Sequence, residues 1–254
     1  MRNIRVVTVV AAVALTLAGC VAKEAPSDQR GGSDFTASET ETEADAPSGE
    51  AASTEGDCGF RADESGQPPI VGLPPDEGPV DAKTLTLTTS AGPIAIQLDS
   101  ERAPCTVQSM VFLAGEHYFD NTVCHRLTAA ESLKVLQCGD PEGTGAGGPG
   151  YVVPDELPTD LPPGQPGPDG QESVIYQRGT VAMANAGPDT TGSQFFLVYG
   201  DSTLPPSYTV MGTVDEAGLA TLDAIAAAGI TPGENGPEDG APKTPVTITQ
   251  AVAA

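Results

Sequence analysis

Strict alternation over residues 84–98 restricts the fold more than any other feature of the chain. Leu85 and Leu87 alternate with Thr84, Thr86 and Thr88. Ile94, Ile96 and Leu98 alternate with Ala95 and Gln97, and Ser90-Ala91-Gly92-Pro93 lies between the two runs. A period of two puts the large apolar residues on one side, so the pair reads as a hairpin with a single buried face. An isolated hairpin is marginal in water, so further strands must cover it. Short apolar runs at 122–127, 133–138, 174–176, 181–184, 195–199, 210–214 and 246–251 can supply them. Two helices interrupt the series. Pro104 suits the first turn of one, with Val107, Met110, Val111 and Ala114 as its apolar face and Gly115 as its stop. The other covers about 216–228, with Leu219, Leu222, Ile225 and Ala226 inward, Asp215 as N-cap and Gly229 as C-terminal stop. With 30 glycines and 24 prolines among 254 residues, many turns and short strands are favoured over a helical bundle. The expected fold is mainly β: a closed eight-stranded antiparallel barrel capped by two helices, occupying residues 82–254 around one core, without internal repeats.

The segments before that domain differ in kind. Arg2 and Arg5 precede an uncharged stretch at 6–18, too short to span a bilayer, so residues 1–19 read as a signal peptide. It ends Leu17-Ala18-Gly19-Cys20, which resembles the lipobox of bacterial lipoproteins. The resemblance implies cleavage before Cys20, acylation of Cys20 and an extracytoplasmic protein lipid-anchored to the cell membrane; several acyl chains suffice for stable attachment. Residues 21–57 are low-complexity, with ten acids against two bases, and cannot bury enough apolar surface to order themselves. With Cys20 they form an acidic tether whose r.m.s. reach is about 30–37 Å. Residues 58–81 form a Pro-rich arm (Pro68-Pro69, Pro74-Pro75, Pro79).

Charge excludes several partners. Against 35 acids stand 11 bases, for a net charge of −24. Nucleic acid needs clustered bases to neutralise phosphate, and anionic lipid needs them too. No nucleic-acid partner is therefore expected, and membrane contact comes through the lipid anchor only. Two histidines are too few for a multi-histidine metal centre, and Cys124-His125 with Cys138 lacks the paired spacing of a zinc site; no metal and no cofactor are expected. Gly143-x-Gly145-x-x-Gly148 has a dinucleotide-binding spacing. Pro149-Gly150 follows it where a helix N-terminus would have to face a pyrophosphate, so it reads as a loop. No acyl-transfer nucleophile motif is present.

Polar residues interrupt otherwise apolar strands at His125, Arg126, Gln137, Asn185 and Gln194. Met183-Ala184-Asn185-Ala186-Gly187-Pro188, leading to Gly192-Ser193-Gln194-Phe195-Phe196, resembles the signature of the cyclophilins, peptidyl-prolyl cis–trans isomerases. Cys124-His125-Arg126-Leu127 followed by Gln137-Cys138-Gly139-Asp140 is similar to that family's second hallmark, in the same order. The resemblance runs from about Lys83 to Ala251 and implies the barrel already derived. It also implies roles. Arg126 is the catalytic donor. Phe196 floors a proline pocket with Val135 beside it. Gln137 and Gln194 orient Arg126 and the substrate carbonyl, and Ala184 and Asn185 line the peptide groove. His125 faces inward as a structural residue. Leu204 stands where many members carry the tryptophan used in cyclosporin binding, and Tyr208 where a histidine is usual. The implied partners are proline-containing polypeptides, bound by a monomer that assists folding of exported proteins. The alternative is a non-catalytic chaperone or adaptor using the same groove.

The sequence departs from the family pattern in one stretch. Ten residues separate Arg126 from Gln137, a longer spacing than the family's common form, so 128–134 carry an insertion. A wall of the pocket then falls to Lys134, or to Leu133 if the gap shifts. Besides Cys20, four cysteines remain, which allows three pairings in an oxidising compartment. Cys124 and Cys138 lie on what should be neighbouring hairpin strands, which favours their pairing and leaves Cys58 with Cys105.

Overall fold

The computed structural model describes residues 58–65, 69–75, 80–167 and 170–254. The leader, Cys20 and the tether lie outside them, as do parts of the arm. In chain order the elements are β1 (Arg61–Ala62), β2 (Thr84–Thr89), β3 (Gly92–Leu98), α1 (Pro104–Gly115), β4 (Thr122–Val123), β5 (Arg126–Thr128), β6 (Lys134–Cys138), β7 (Tyr151–Val152), β8 (Val174–Tyr176), β9 (Thr180–Met183), β10 (Phe195–Gly200), β11 (Ser202–Leu204), β12 (Val210–Val214), α2 (Glu216–Ala228), β13 (Ile230–Gly233), β14 (Gly236–Pro242) and β15 (Thr247–Ala253). No helix among the described residues is long and apolar enough to cross a membrane.

The main sheet is antiparallel and has eleven strands in the order β13-β14-β5-β6-β10-β9-β12-β3-β2-β15-β4. This corrects the closed eight-stranded barrel. The order is open, and its end strands β13 and β4 share no ladder. Two features of the chain account for it. The expected strand at 122–127 breaks at Cys124-His125 into β4, which pairs with β15, and β5, which pairs with β6 and β14. The hairpin β13–β14 also extends the edge beyond β5. Small sheets β1–β7 and β8–β11 lie outside the main one.

Alternation sorts the side chains as the first hairpin implies. Leu85, Leu87, Ile94 and Ile96 are fully buried against both helices in the inner core. Along β10, Phe195 and Leu197 join that core, whereas Phe196 and Val198 belong to a second apolar cluster. In β6, Leu136 faces inward and Val135 outward; in β9, Val181 and Met183 face inward and Ala182 outward. The middle strands are therefore apolar on both faces, and the single core expected from the sequence is two clusters. Tyr176 of β8, Leu204 of β11 and Tyr208 cover the second one.

Both helices fall at the predicted positions. Asp215 caps α2 by accepting from the Gly218 N–H at 2.7 Å. Leu222 and Ile225 are buried, while Leu219 and Ala226 are half-buried. On α1, Leu113 rather than Val111 completes the buried face with Val107, Met110 and Ala114. Its N-cap, Ala103, has no side chain able to cap. Instead Glu156, from a distant loop, accepts the Cys105 and Thr106 N–H groups at 3.0 and 2.8 Å. A carboxylate there satisfies two orphan donors and complements the helix dipole. Replacing Glu156 with Ala should cost about 1 kcal/mol, read as a lowered urea midpoint at unchanged slope.

Candidate active site

Register assembles the site. Arg126 pairs with Gln137 across β5–β6, Gln137 with Phe196 across β6–β10, and Phe196 with Ala182 across β10–β9. Residues directly opposite one another share a face. One transverse row therefore runs cation, amide, aromatic ring, methyl on the outward face. Phe196 is buried and packs edge-on against Tyr208 and Tyr176, with centroids 5.5 and 6.1 Å away. Tyr176 is held in turn by donating its hydroxyl to the Tyr208 carbonyl at 3.0 Å. Over this floor lies a pocket of about 240 Å³ bounded by Arg126, Leu133, Val135, Gln137, Ala184, Asn185, Leu204 and Tyr208.

The insertion does not disturb the row. The Leu133 N–H donates to the Ala130 carbonyl at 3.1 Å, closing a turn. Thr128 donates its hydroxyl to the Leu133 carbonyl at 2.9 Å and accepts the Val135 N–H at 3.1 Å. The extra residues are absorbed in that turn, and Leu133, not Lys134, supplies the pocket wall. Lys134 lies over Gly200 instead.

A hydrogen-bonded chain runs from the arginine along the groove. Arg126 Nη1 donates to Gln137 Oε1 at 3.2 Å. Gln137 Nε2 donates to Gln194 Oε1 at 2.9 Å, and Gln194 Nε2 to the Gly147 carbonyl at 2.9 Å. Gln194 thus reaches Arg126 through Gln137, not directly. Asn185 donates its side-chain N–H to the Ser207 carbonyl at 2.7 Å, fixing the loop before Tyr208. Ala184 is tied to the neighbouring strand end through its N–H on the Gln194 carbonyl at 2.9 Å. A larger cavity of about 650 Å³ adjoins this pocket and shares Gln137, Ala184 and Asn185 with it; Gln194 lines the larger cavity only, and arm residues Arg61 to Glu64 form its far wall.

Sequence reasoning missed Asp239. Arg126 donates from Nε and Nη2 to the two Asp239 oxygens, each at 2.8 Å. Their side chains are 35% and 20% exposed. The hydrogen bonds from Arg126 hold the Asp239 carboxyl below the usual carboxylate range, and the same bonds raise the guanidinium. Asp239 sits on β14 opposite Thr128. Local sequence carries no signal for that pairing, because it depends on a hairpin docking onto a strand more than a hundred residues away.

The remaining predicted residues take structural places. His125 lies beside the arginine with both ring nitrogens buried and without hydrogen-bond partners among the described residues. Burial lowers its pKa against the pull of Asp140, and the Arg126 charge adds to the lowering. Cys124 and Cys138 are disulfide-bonded, and so are Cys58 and Cys105. Among the described residues no group of His, Cys, Asp and Glu is placed to hold a metal. The glycine-rich stretch is a loop organised by Asp140. That buried carboxylate accepts from the N–H groups of Glu142, Thr144, Gly145 and Gly147 and from the Thr144 hydroxyl, at 2.6 to 3.2 Å. The preceding Gly139 has φ +92°, and a Cβ there would fall against the Ser193 carbonyl oxygen, so only glycine suits.

An antiparallel sheet with a half-buried arginine beside an apolar pocket and an amide-lined groove is an arrangement able to receive an extended peptide with an apolar side chain inserted. Comparison makes the class specific. Residues 84–253 match the family "Cyclophilin type peptidyl-prolyl cis-trans isomerase/CLD". The chain belongs to that family. It is similar to the probable peptidyl-prolyl cis-trans isomerase B of Mycobacterium leprae, 52% identical over 184 residues, covering 72% of this chain and 60% of the relative. With the protein of the same name from Mycobacterium tuberculosis, identity is 53% over 169 residues, covering 66% and 54%. The chain therefore spans little more than half the length of these relatives. A crystal structure of a cyclophilin-type isomerase from Cryptosporidium parvum superposes with TM-score 0.53 at 26% identity, covering 68% of this chain and 98% of that one. The same protein solved in the presence of the dipeptide Ala-Pro gives 0.52, with coverage of 67% and 98%.

Asp140 gives a pH prediction. Burial alone would raise its carboxyl. The N–H groups of Glu142 and Gly147, the Thr144 hydroxyl and the Gly145 N–H outweigh it and pull the pKa from 3.8 to about 2. A depressed pKa stabilises the fold above the unfolded value, and that stabilisation is lost as pH falls from about 4 through about 2. Asp140→Asn should lower stability at pH 7 by about 2 kcal/mol. In urea unfolding, the gap from wild type should narrow as pH falls to 2.

Proposed function

We propose that this chain is a peptidyl-prolyl cis–trans isomerase that assists the folding of exported proteins from a lipid anchor at the outer face of the cell membrane. One observation carries the catalytic part: the Arg126 guanidinium stands at the edge of the apolar pocket floored by Phe196. An X–Pro bond is planar through resonance, with a rotation barrier near 18–20 kcal/mol. Its two isomers differ by only about 0.5–1 kcal/mol, so no covalent chemistry is needed. In the twisted state the prolyl nitrogen pyramidalises and gains a lone pair. A donor fixed beside that nitrogen stabilises the twisted state more than either planar one, which is the condition for acceleration. Arginine suits the task because it stays charged and its donors form a rigid fork. The pocket holds the proline ring, while Gln137, Gln194 and the edge at Ala184 and Asn185 hold the backbone on which rotation acts. Binding alone would leave the exchange rate unchanged, so turnover separates an isomerase from a peptide-binding adaptor. Nothing in the pocket favours the adaptor, because Leu133 restores the wall that the insertion put in doubt.

The location rests on the leader, on Cys20 and on disulfides that suit an oxidising compartment. The protein acts as a monomer, and its partners are proline-containing segments of exported chains.

Exchange spectroscopy on a short Ala-Pro peptide tests the catalytic claim. Wild type should speed interconversion, and Arg126→Ala should reduce kcat/KM by about 100-fold or more, the loss typical of removing one preorganised donor. Equal rates for the two proteins would overturn the reading. Leu204 supplies a second test. It borders the pocket where a larger aromatic would reach a bound ring, so wild type should bind cyclosporin weakly and Leu204→Trp more tightly. The chain has no tryptophan of its own, so the introduced indole reports the titration by fluorescence.

A further inference from the structure

The chemistry above uses the donors of Arg126 but leaves Asp239 without a task. Arg126 divides two depressions. On one flank lies the apolar pocket with Leu133, Val135 and Phe196, and Asp239 is not among its walls. On the other lies an open cleft lined by His125, Glu234, Asn235 and Asp239. The carboxylate therefore grips the guanidinium from the side away from the pocket.

We propose that Asp239 is the positioning residue of the catalytic arginine, clamping its Nε edge so that the remaining donors face the bound peptide. This rests on the reading of Arg126 as catalytic donor. A guanidinium has five N–H groups. Nε and Nη2 each give one to Asp239, and Nη1 gives one to Gln137. One N–H on Nη1 and one on Nη2 are left for the substrate. Bidentate pairing sets the plane of the fork as well as its place, which a single acceptor cannot do. The need is acute in a chain with 35 acids, where a loosely held arginine would have many other carboxylates to visit.

The hairpin β13–β14 is built to deliver this carboxylate. Asp239 is opposite Thr128, and Arg126 lies two residues along the same strand, which makes the two a same-face diagonal pair. Gly240 is opposite Leu127, and a Cβ on Gly240 would strike the Thr231 carbonyl oxygen, so the hairpin closes only with glycine there. Asn235, at the hairpin turn, donates its side-chain N–H to Asp239 Oδ2 at 3.3 Å and steadies the carboxylate from behind.

A positioning role predicts a split between kcat and KM. On the full chain, NMR line-shape analysis of an Ala-Pro peptide gives both constants. Asp239→Ala should lower kcat by about 10- to 100-fold, the effect expected of a misplaced catalytic group, with KM altered by less than about 3-fold. Asp239→Glu, which keeps the carboxylate, should recover much of kcat, and Asp239→Asn, which keeps the shape, should lie between. The Arg126 Nε–H resonance should be downfield and slow to exchange with water in wild type, and fast to exchange in Asp239→Ala. If the alanine variant fails to fold, the isosteric asparagine variant carries the comparison. A kcat within about 2-fold of wild type in both variants, with Arg126→Ala inactive, would overturn the proposal and leave the isomerase reading standing. If Arg126→Ala were as active as wild type, that reading would fail instead. Protection of the Nε–H, present or absent, would still decide whether Asp239 holds the arginine.

Discussion

Antiparallel register is the constraint on which the rest of the molecule depends. Because side chains alternate faces with a period of two, a slip of one residue between β5 and β6 would either turn Arg126 inward or replace Gln137 with Leu136 or Cys138 on the working face. The inner core forbids that slip: Leu127, Leu136 and Cys138 are fully buried, and the slip would bring the half-buried Arg126 or Gln137 inward in their place. The working face is thus specified by residues that never touch it. This explains why the central strands are apolar on both sides. The inward residues set the register, and the outward ones, Val135, Ala182, Phe196 and Val198, form a second cluster that serves as pocket floor.

Beside that floor, polar groups hold one another. From Asp140 through the glycine-rich loop to Gly147, then Gln194, Gln137 and Arg126, each amide or guanidinium has a protein partner. On the isomerase reading proposed above, a site preorganised in this way would need little reorientation as a prolyl nitrogen changes hybridisation, which is where electrostatic catalysis gains most. The carboxylate at the head of the chain, Asp140, stays ionised to about pH 2, so the loop it gathers is not released by mild acid.

Short-range pattern carried most of this into the sequence. The alternation at Leu85–Leu87 and Ile94–Ile96, the cap at Asp215 and the stop at Gly229 are local effects, and each appears where the residues imply; Gly115 is instead the last residue inside its helix, which Glu116 caps before the chain turns at His117 with φ +58°. The pocket residues were legible for a different reason: their order resembles a known family, and Arg126, Gln137, Phe196, Leu204 and Tyr208 converge on one hollow. What the sequence hid is long-range. Asp239 lies in a stretch of Gly, Pro and acids with no periodicity, and its partner is found only once β14 has docked on β5. Glu156 caps a helix about fifty residues before it, and no spacing announces that. The division of 122–127 into two strands is hidden for the same reason, since it follows from the two halves pairing with different neighbours, β15 and β6.

The disulfides address a weakness of composition. No tryptophan and only six phenylalanines are available, so the aromatic contribution to burial is small. In the chain-entropy account a crosslink stabilises by restricting the unfolded chain, and the gain grows with the loop it closes. Cys58–Cys105 joins residues 47 apart and Cys124–Cys138 residues 14 apart, worth about 4 and 3 kcal/mol on that account. The first restrains an arm that otherwise holds the domain through a two-residue ladder on β7, the Phe60 ring against Tyr151 and a few hydrogen bonds, among them Gln108 to the Pro75 carbonyl. The second ties the residue two before Arg126 to the residue after Gln137, at the point where β4 and β5 part and the ladder is interrupted. A covalent bond there substitutes for the missing backbone pairing, so the strand that carries the arginine stays in register even though it is only three residues long.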